Sequence, residues 1–257
     1  MLFGYNLTQI DERLVNNLKT TKAVFPQEIQ LIELGLSLMR DLTKITDEAS
    51  KDYPKAPNMF ANHNLFARNR QLLLNAYVSC LFSSYGTAFV ILRTVLENNN
   101  LIRLFNKNPQ SAYEWLPEEQ QQRFMPEIRE KFGKAGKHNM TFKPMPVTTL
   151  VFGDINNPQI EKEMTKFYGQ LCNYTHPNFI GWKELVAIKG DVEIIQNMPS
   201  FSSTSGENVV GVLLFSMILT FKGFVETFKG YLVEFADRLM EWNNAFLKIM
   251  VRYTKVE

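Results

Sequence analysis

Apolar residues return every three or four positions along most of this 257-residue chain, the period of helices buried on one side. Ile10, Leu14 and Leu18 follow Thr8, a capping residue type, and predict a short first helix. Pro26 suits the first turn of a second helix. Its stripe is Ile29, Ile32, Leu36, Met39 and Leu42, and it runs to about Ser50. Pro54 and Pro57 then interrupt the pattern. Residues 64–106 contain no proline and read as helical, but a single helix of that length would span roughly 60 Å. The expected break is Ser83-Ser-Tyr-Gly86, which makes the stretch an antiparallel helical hairpin.

Beyond residue 107 the pattern is more broken. Pro109 and Pro117 bracket an expected loop around Trp115, and residues 118–132 read as a surface helix kinked at Pro126. The run 129–143 is basic and reads as a loop, either simply solvated or in contact with phosphates. A further helix opens at Pro158, with Ile160, Met164, Phe167 and Leu171 on one face. Residues 182–195 change character: β-branched residues flank Lys189-Gly-Asp191, which predicts a β-hairpin. The final segment reads as one helix from about Glu207 to Arg252. Its seam is Phe221, Val225, Phe228, Leu232, Phe235, Leu239, Trp242, Phe246 and Ile249, a coiled-coil stripe. Gly223 and Gly230 lie seven apart and would admit a close neighbour on that flank. The seam's partner is either a helix of the same bundle or a second copy, a homodimer through the C-terminal helix.

The expected fold class is therefore all-α, a helical bundle with a small β-hairpin insertion. It is organised as one domain over 1–257: N-terminal helices in 1–60, a helical core in 61–181, the hairpin and a serine-rich loop in 182–206, and a long helix in 207–257. Composition supports a packed core, since 45% of residues are hydrophobic and 20 are phenylalanine. A net charge of +2 does not by itself point to nucleic acid. The most apolar window, residues 209–221, is shorter than the ~20 residues of a membrane span. With no secretory pattern at the N-terminus, the expectation is a cytoplasmic protein with no membrane partner. Cys80 and Cys172 are far apart, outside any zinc spacing, and read as reduced thiols.

No P-loop, dinucleotide fingerprint, His-Glu-x-x-His or Gly-x-Ser-x-Gly motif occurs, so neither a metal nor a cofactor is expected. What stands out is polar residues on apolar helices. Arg93, Glu97 and Asn100 share one stripe of the second hairpin helix. A charged pair there is costly unless satisfied, so it either orders the core or lines a polar pocket. Tyr168, Asn173 and His176 cluster where the later helix ends at Pro177. His176 is either a helix-end histidine bonded to a carboxylate such as Glu97, or a general acid–base or phosphate ligand.

The segment Phe82-Ser-Ser-Tyr-Gly-Thr-Ala-Phe-Val-Ile-Leu-Arg-Thr-Val-Leu-Glu97 resembles the first helix pair of the HEPN superfamily, in particular an uncharacterised prokaryotic all-α branch. Leu171-Cys-Asn-Tyr-Thr-His-Pro177 is similar to the Leu-Ser/Cys-x-x-x-His helix end of that branch. The resemblance covers roughly residues 65–185. It implies a helical bundle, frequent dimerisation, and links to RNA cleavage, nucleotide binding, or toxin and phage-defence systems. Catalytic members carry arginine four to six residues before the histidine. This chain departs from that pattern: Lys166 is the nearest upstream basic residue to His176, and Asn173 sits three before it. The resemblance thus implies a nucleotide or RNA site with His176, Arg93 and Asn173 in catalytic roles and Glu97, Asn100 and Tyr168 in binding. Arg93, from another helix, would stand in for the missing arginine. A scaffold or dimerisation protein without enzymatic activity is the competing expectation.

Overall fold

A computed structural model of the chain describes residues 7–125, 162, 168–169, 171–172, 186–189, 192–195 and 200–254. In order come α1 (Leu7–Val24), α2 (Pro26–Asp41), α3 (Thr43–Ala49), a 3-10 segment at Ser50–Lys55, α4 (Pro57–Leu81) and α5 (Tyr85–Lys107). The short helices α6 (Pro109–Trp115) and α7 (Glu118–Phe124) follow. After residue 200 come α8 (Ser203–Phe228), 3-10 turns at Lys229–Tyr231 and Val233–Phe235, and α9 (Ala236–Thr254). The molecule is an all-α helical bundle. Two short strands, Val186–Lys189 and Val192–Ile195, pair antiparallel with Val186 opposite Ile195.

The turn between α4 and α5 forms as the sequence predicts, but its pivot is a serine. Ser83 has φ +62°, the left-handed region that glycine normally fills. Its amide reaches Cys80 O at 3.0 Å, and the Ser84 amide reaches Ser79 O at 2.8 Å. This is the paired 5→2 and 6→1 bonding of a helix C-terminus. Two carbonyls left over at the end of α4 are met from α1: Asn17 Nδ2 donates to Phe82 O and Thr21 Oγ1 to Leu81 O.

Helices α4, α5 and α8 are held together by two polar layers of the same design. In one, Asn69 Nδ2 donates to Asn99 Oδ1 at 2.8 Å. Thr220 Oγ1 lies 3.1 Å from the same oxygen and 2.8 Å from Ser216 O. Asn99 Nδ2 donates to Ser216 O. In the other layer, Asn62, Asn106, Thr227 and Gly223 repeat each of these bonds. From this second layer back to the first, each residue is offset by seven from its counterpart, upward in α4 and downward in α5 and α8. The next heptad position on the three helices holds Ala76, Leu92 and Leu213, all fully buried.

The structure departs from the sequence reading in three elements. The second helix, expected to run to about Ser50, ends at Asp41, and the separate short helix α3 follows it. The stretch between Pro109 and Pro117 is a helix, not a loop: Asn108 Oδ1 accepts from the Gln110 and Ser111 amides, and Pro109 takes the first turn. Gln121 Nε2 then bonds the Tyr113 and Leu116 carbonyls at the end of α6. This pins a small second core of Ala61, Leu65, Ile102, Phe105, Tyr113 and Met125.

The expected single C-terminal helix over 207–257 is two helices, α8 and α9, and the chain reverses through the 3-10 turns between them. The seam therefore folds onto its own bundle. Trp242 packs edge-on against Phe221 at 4.8 Å and stacks with Phe246 at 5.7 Å. Its indole Nε1 donates to Leu31 O of α2 at 2.9 Å. Gly35 makes this possible, because a Cβ there would collide with Met217 and Trp242. The close approach expected at Gly223 occurs, since a Cβ there would lie 2.7 Å from Ile102 Cγ2, whereas Gly230 faces open space. The expected basic loop and most of the helix expected from Pro158 to the end of the motif before Pro177 fall outside the described residues. Lys162, Tyr168, Gly169, Leu171 and Cys172 have helical backbone.

Candidate functional site

Arg93 and Glu97 lie one turn apart on α5 and form an ion pair, Nε to Oε1 at 2.9 Å. Their side chains remain 19% and 24% exposed, so the pair lies at the edge of the core and not within it. Tyr168 reaches it from a separate helical segment. Its hydroxyl donates to Glu97 Oε1 at 2.7 Å, which leaves the phenol oxygen to accept from Arg93 Nε and Nη2 at 3.4 and 3.3 Å. The guanidinium also sits over the Tyr168 ring, 5.5 Å from its centroid. Arginine, tyrosine and glutamate thus close a ring of hydrogen bonds across 75 residues of sequence.

Electrostatics follow from this geometry. Burial, and then the bond to Glu97, push the Tyr168 phenol well above its usual range. Burial alone would lower the Arg93 guanidinium, but its bonds to Tyr168 and the charge of Glu97 outweigh that and raise it. The site thus holds a permanent cation, paired with the Glu97 carboxylate, beside a neutral phenol. A planar guanidinium next to an aromatic face suits a phosphate and a base.

Of the six residues predicted from sequence, Arg93, Glu97 and Tyr168 meet directly. Asn100 is on α5 one turn past Glu97 and is buried. Asn173 and His176 lie outside the described residues. Cys172, one turn beyond Tyr168, is half-buried and not in a disulfide. Cys80 is sealed in the core, where burial pushes its thiol up to about 12 and makes it unreactive. Among the described residues no three His, Cys, Asp or Glu side chains are grouped to hold a metal ion.

Two further polar features were not singled out by sequence reasoning. The asparagine–threonine layers are one, and heptad-spaced Asn and Thr on otherwise apolar helices is the signal that could have found them. The other is His63, whose Nδ1 lies 3.0 Å from the Tyr53 hydroxyl. That hydroxyl donates to Thr46 O at 2.7 Å, so His63 Nδ1 must carry a proton. The helix–turn segment Ser203–Tyr231 is long and apolar enough to cross a membrane by length and composition, and 61% of its most apolar window is buried inside the fold. No protein-family model, no curated protein and no solved structure matches the chain.

Proposed function

We propose that the chain is a HEPN-like cytoplasmic protein that binds RNA or a nucleotide beside Arg93, Glu97 and Tyr168. The observation that supports this is the contact of Tyr168 with both Arg93 and Glu97. It ties the helix carrying the Leu-Arg-x-x-x-Glu pattern to the segment that leads to His176. In this reading Arg93 meets phosphate charge, Tyr168 offers a ring to a base, and Glu97 and Asn100 orient the ligand. His176 moves a proton at a ribose 2′-hydroxyl, and Asn173 positions it. The paired strands over 186–195 are a small hairpin insertion in the bundle, and a toxin or phage-defence setting is the context.

A second reading has one observation in its favour: Arg93 is already neutralised by Glu97. On that reading the cluster only fastens two segments together, and the protein is a scaffold without enzymatic activity. Fluorescence polarisation with a labelled oligoribonucleotide, together with calorimetry against purine nucleotides, separates the two. Binding that Arg93→Gln weakens and Tyr168→Phe alters, with both variants still folded by circular dichroism, is the expected result. RNA cleavage abolished in His176→Ala with binding retained extends it to catalysis. No binding by the wild-type chain to any of these ligands leaves the scaffold reading.

A further inference from the structure

The Arg93 site already holds an anion of its own, and holds it loosely. Arg93 meets Glu97 through a single bond, Nε to Oε1 at 2.9 Å. Tyr168 engages the same guanidinium edge weakly: Nε and Nη2 reach its hydroxyl at 3.4 and 3.3 Å, against the ~2.9 Å usual for such bonds. A guanidinium fork suits two parallel bonds to one anion, and a single carboxylate oxygen does not supply them. Single-pronged pairs one turn apart are weak ties on a helix. By contrast, the Tyr168 hydroxyl donates to Glu97 Oε1 at 2.7 Å, a bond in which Arg93 has no part.

We infer that Glu97 is an internal competitor for the anion site at Arg93, a carboxylate that closes the site until a phosphate takes its place. The phosphate takes the Nε–Nη2 edge with two of its oxygens, so one short and two long bonds give way to two short parallel ones. Glu97 turns outward, and its bond to Tyr168 keeps it beside the ligand that it then orients. Its side chain is 24% exposed, so the displaced carboxylate meets solvent and no charge is left buried. The neutralised Arg93 is then the closed form of a binding site. The inference rests on the phosphate-binding reading above and adds the regulation of that site. The chemistry recognised is a phosphate group, whether free or carried by a nucleotide or RNA.

Calorimetry with inorganic pyrophosphate and fluorescence polarisation with a labelled oligoribonucleotide, on wild type and Glu97→Gln, test it for the two sources of phosphate. Glutamine keeps the shape and an acceptor for Tyr168 but removes the charge. The variant is expected to bind about tenfold tighter. Its affinity for the oligonucleotide should also fall more steeply with salt, because in the wild-type chain the displaced carboxylate gains a cation as the phosphate loses one. Glu226→Gln, which removes an exposed carboxylate of α8, controls for net charge and should change neither. A measurement on the wild-type chain stands beside these. The Arg93 Nε–H resonance, assigned by its loss in Arg93→Gln, should shift as pyrophosphate replaces the carboxylate. Equal or weaker binding by folded Glu97→Gln overturns the inference and leaves the binding reading standing. So does a gain that Glu226→Gln matches, or bound pyrophosphate that leaves the Arg93 resonance unmoved. No binding by wild type or by Glu97→Gln overturns both.

Discussion

His63 shows how one buried ring sets a pH limit. Burial lowers its imidazole below the usual 6.5, and the charge of Asp47 offsets this only in part. The unfolded chain takes up that proton near 6.5 while the folded chain resists it. Below pH 6.5 the unfolded state therefore binds more protons, and stability falls as pH drops toward the lower folded value. The neighbours facing the ring are Tyr53, whose phenol burial keeps neutral, and Asp47. The slope cannot exceed about 1.4 kcal/mol per pH unit for one group. His63→Asn keeps a donor for the Tyr53 hydroxyl but cannot titrate. Thermal melts between pH 7 and 5 are expected to show a loss in the wild-type chain that this variant reduces. Glu33 acts in a separate window. The hydrogen bond from Tyr77, and then that from Lys22, lower its carboxyl below 4.5, so its contribution is present above pH 4.5 and lost below it.

At the scale of elements, the two polar layers explain why α4, α5 and α8 have one register. Sliding α4 by a heptad would put Asn62 where Asn69 sits, move Asn69 to the buried apolar level of Ala76, and strip Asn106 and Thr227 of their partner. Hydrophobic burial alone would tolerate that slide far better. Asn69 also accepts from Asn98 Nδ2 at 2.8 Å, so Asn69→Ala abandons Asn98 and Asn99 inside the core. The expected cost is about 1–3 kcal/mol. Asn106→Ala, in the half-buried layer, should cost less because water can reach the groups it frees. Urea titrations with unchanged m-values measure both. Little of this was legible in the sequence. The triad members are 30 and 121 residues apart, and a lone Asn on an apolar stripe looks like an ordinary polar interruption. By contrast, the Arg93–Glu97 pair was legible because both partners share one helix, where spacing alone brings them together.

Across the whole molecule, the part that periodicity could not reveal was the return of the chain between α8 and α9. The seam from Phe221 to Ile249 keeps its spacing straight through the break, and no proline marks it. What bends the chain is tertiary: α2 offers Gly35 and a groove wide enough for Trp242, and burying that indole outweighs the helical propensity of residues 229–235. The α4–α5 hairpin, by contrast, was readable because a polar Ser-Ser dipeptide interrupts the apolar pattern just where the turn forms. The α9 arrangement carries a sharp consequence. Trp242 is 5% exposed and touches both α8 and α2. Trp242→Ala should therefore cost about 3–5 kcal/mol. The loss should be uneven, because α4, α5 and α8 keep their polar layers and their packing without α9. Hydrogen exchange is expected to show residues 236–254 losing protection first, with the amides around Asn69 and Asn99 retaining theirs. Equal loss of protection along all four helices would mean that α9 is part of the central cooperative unit, not a helix docked onto it.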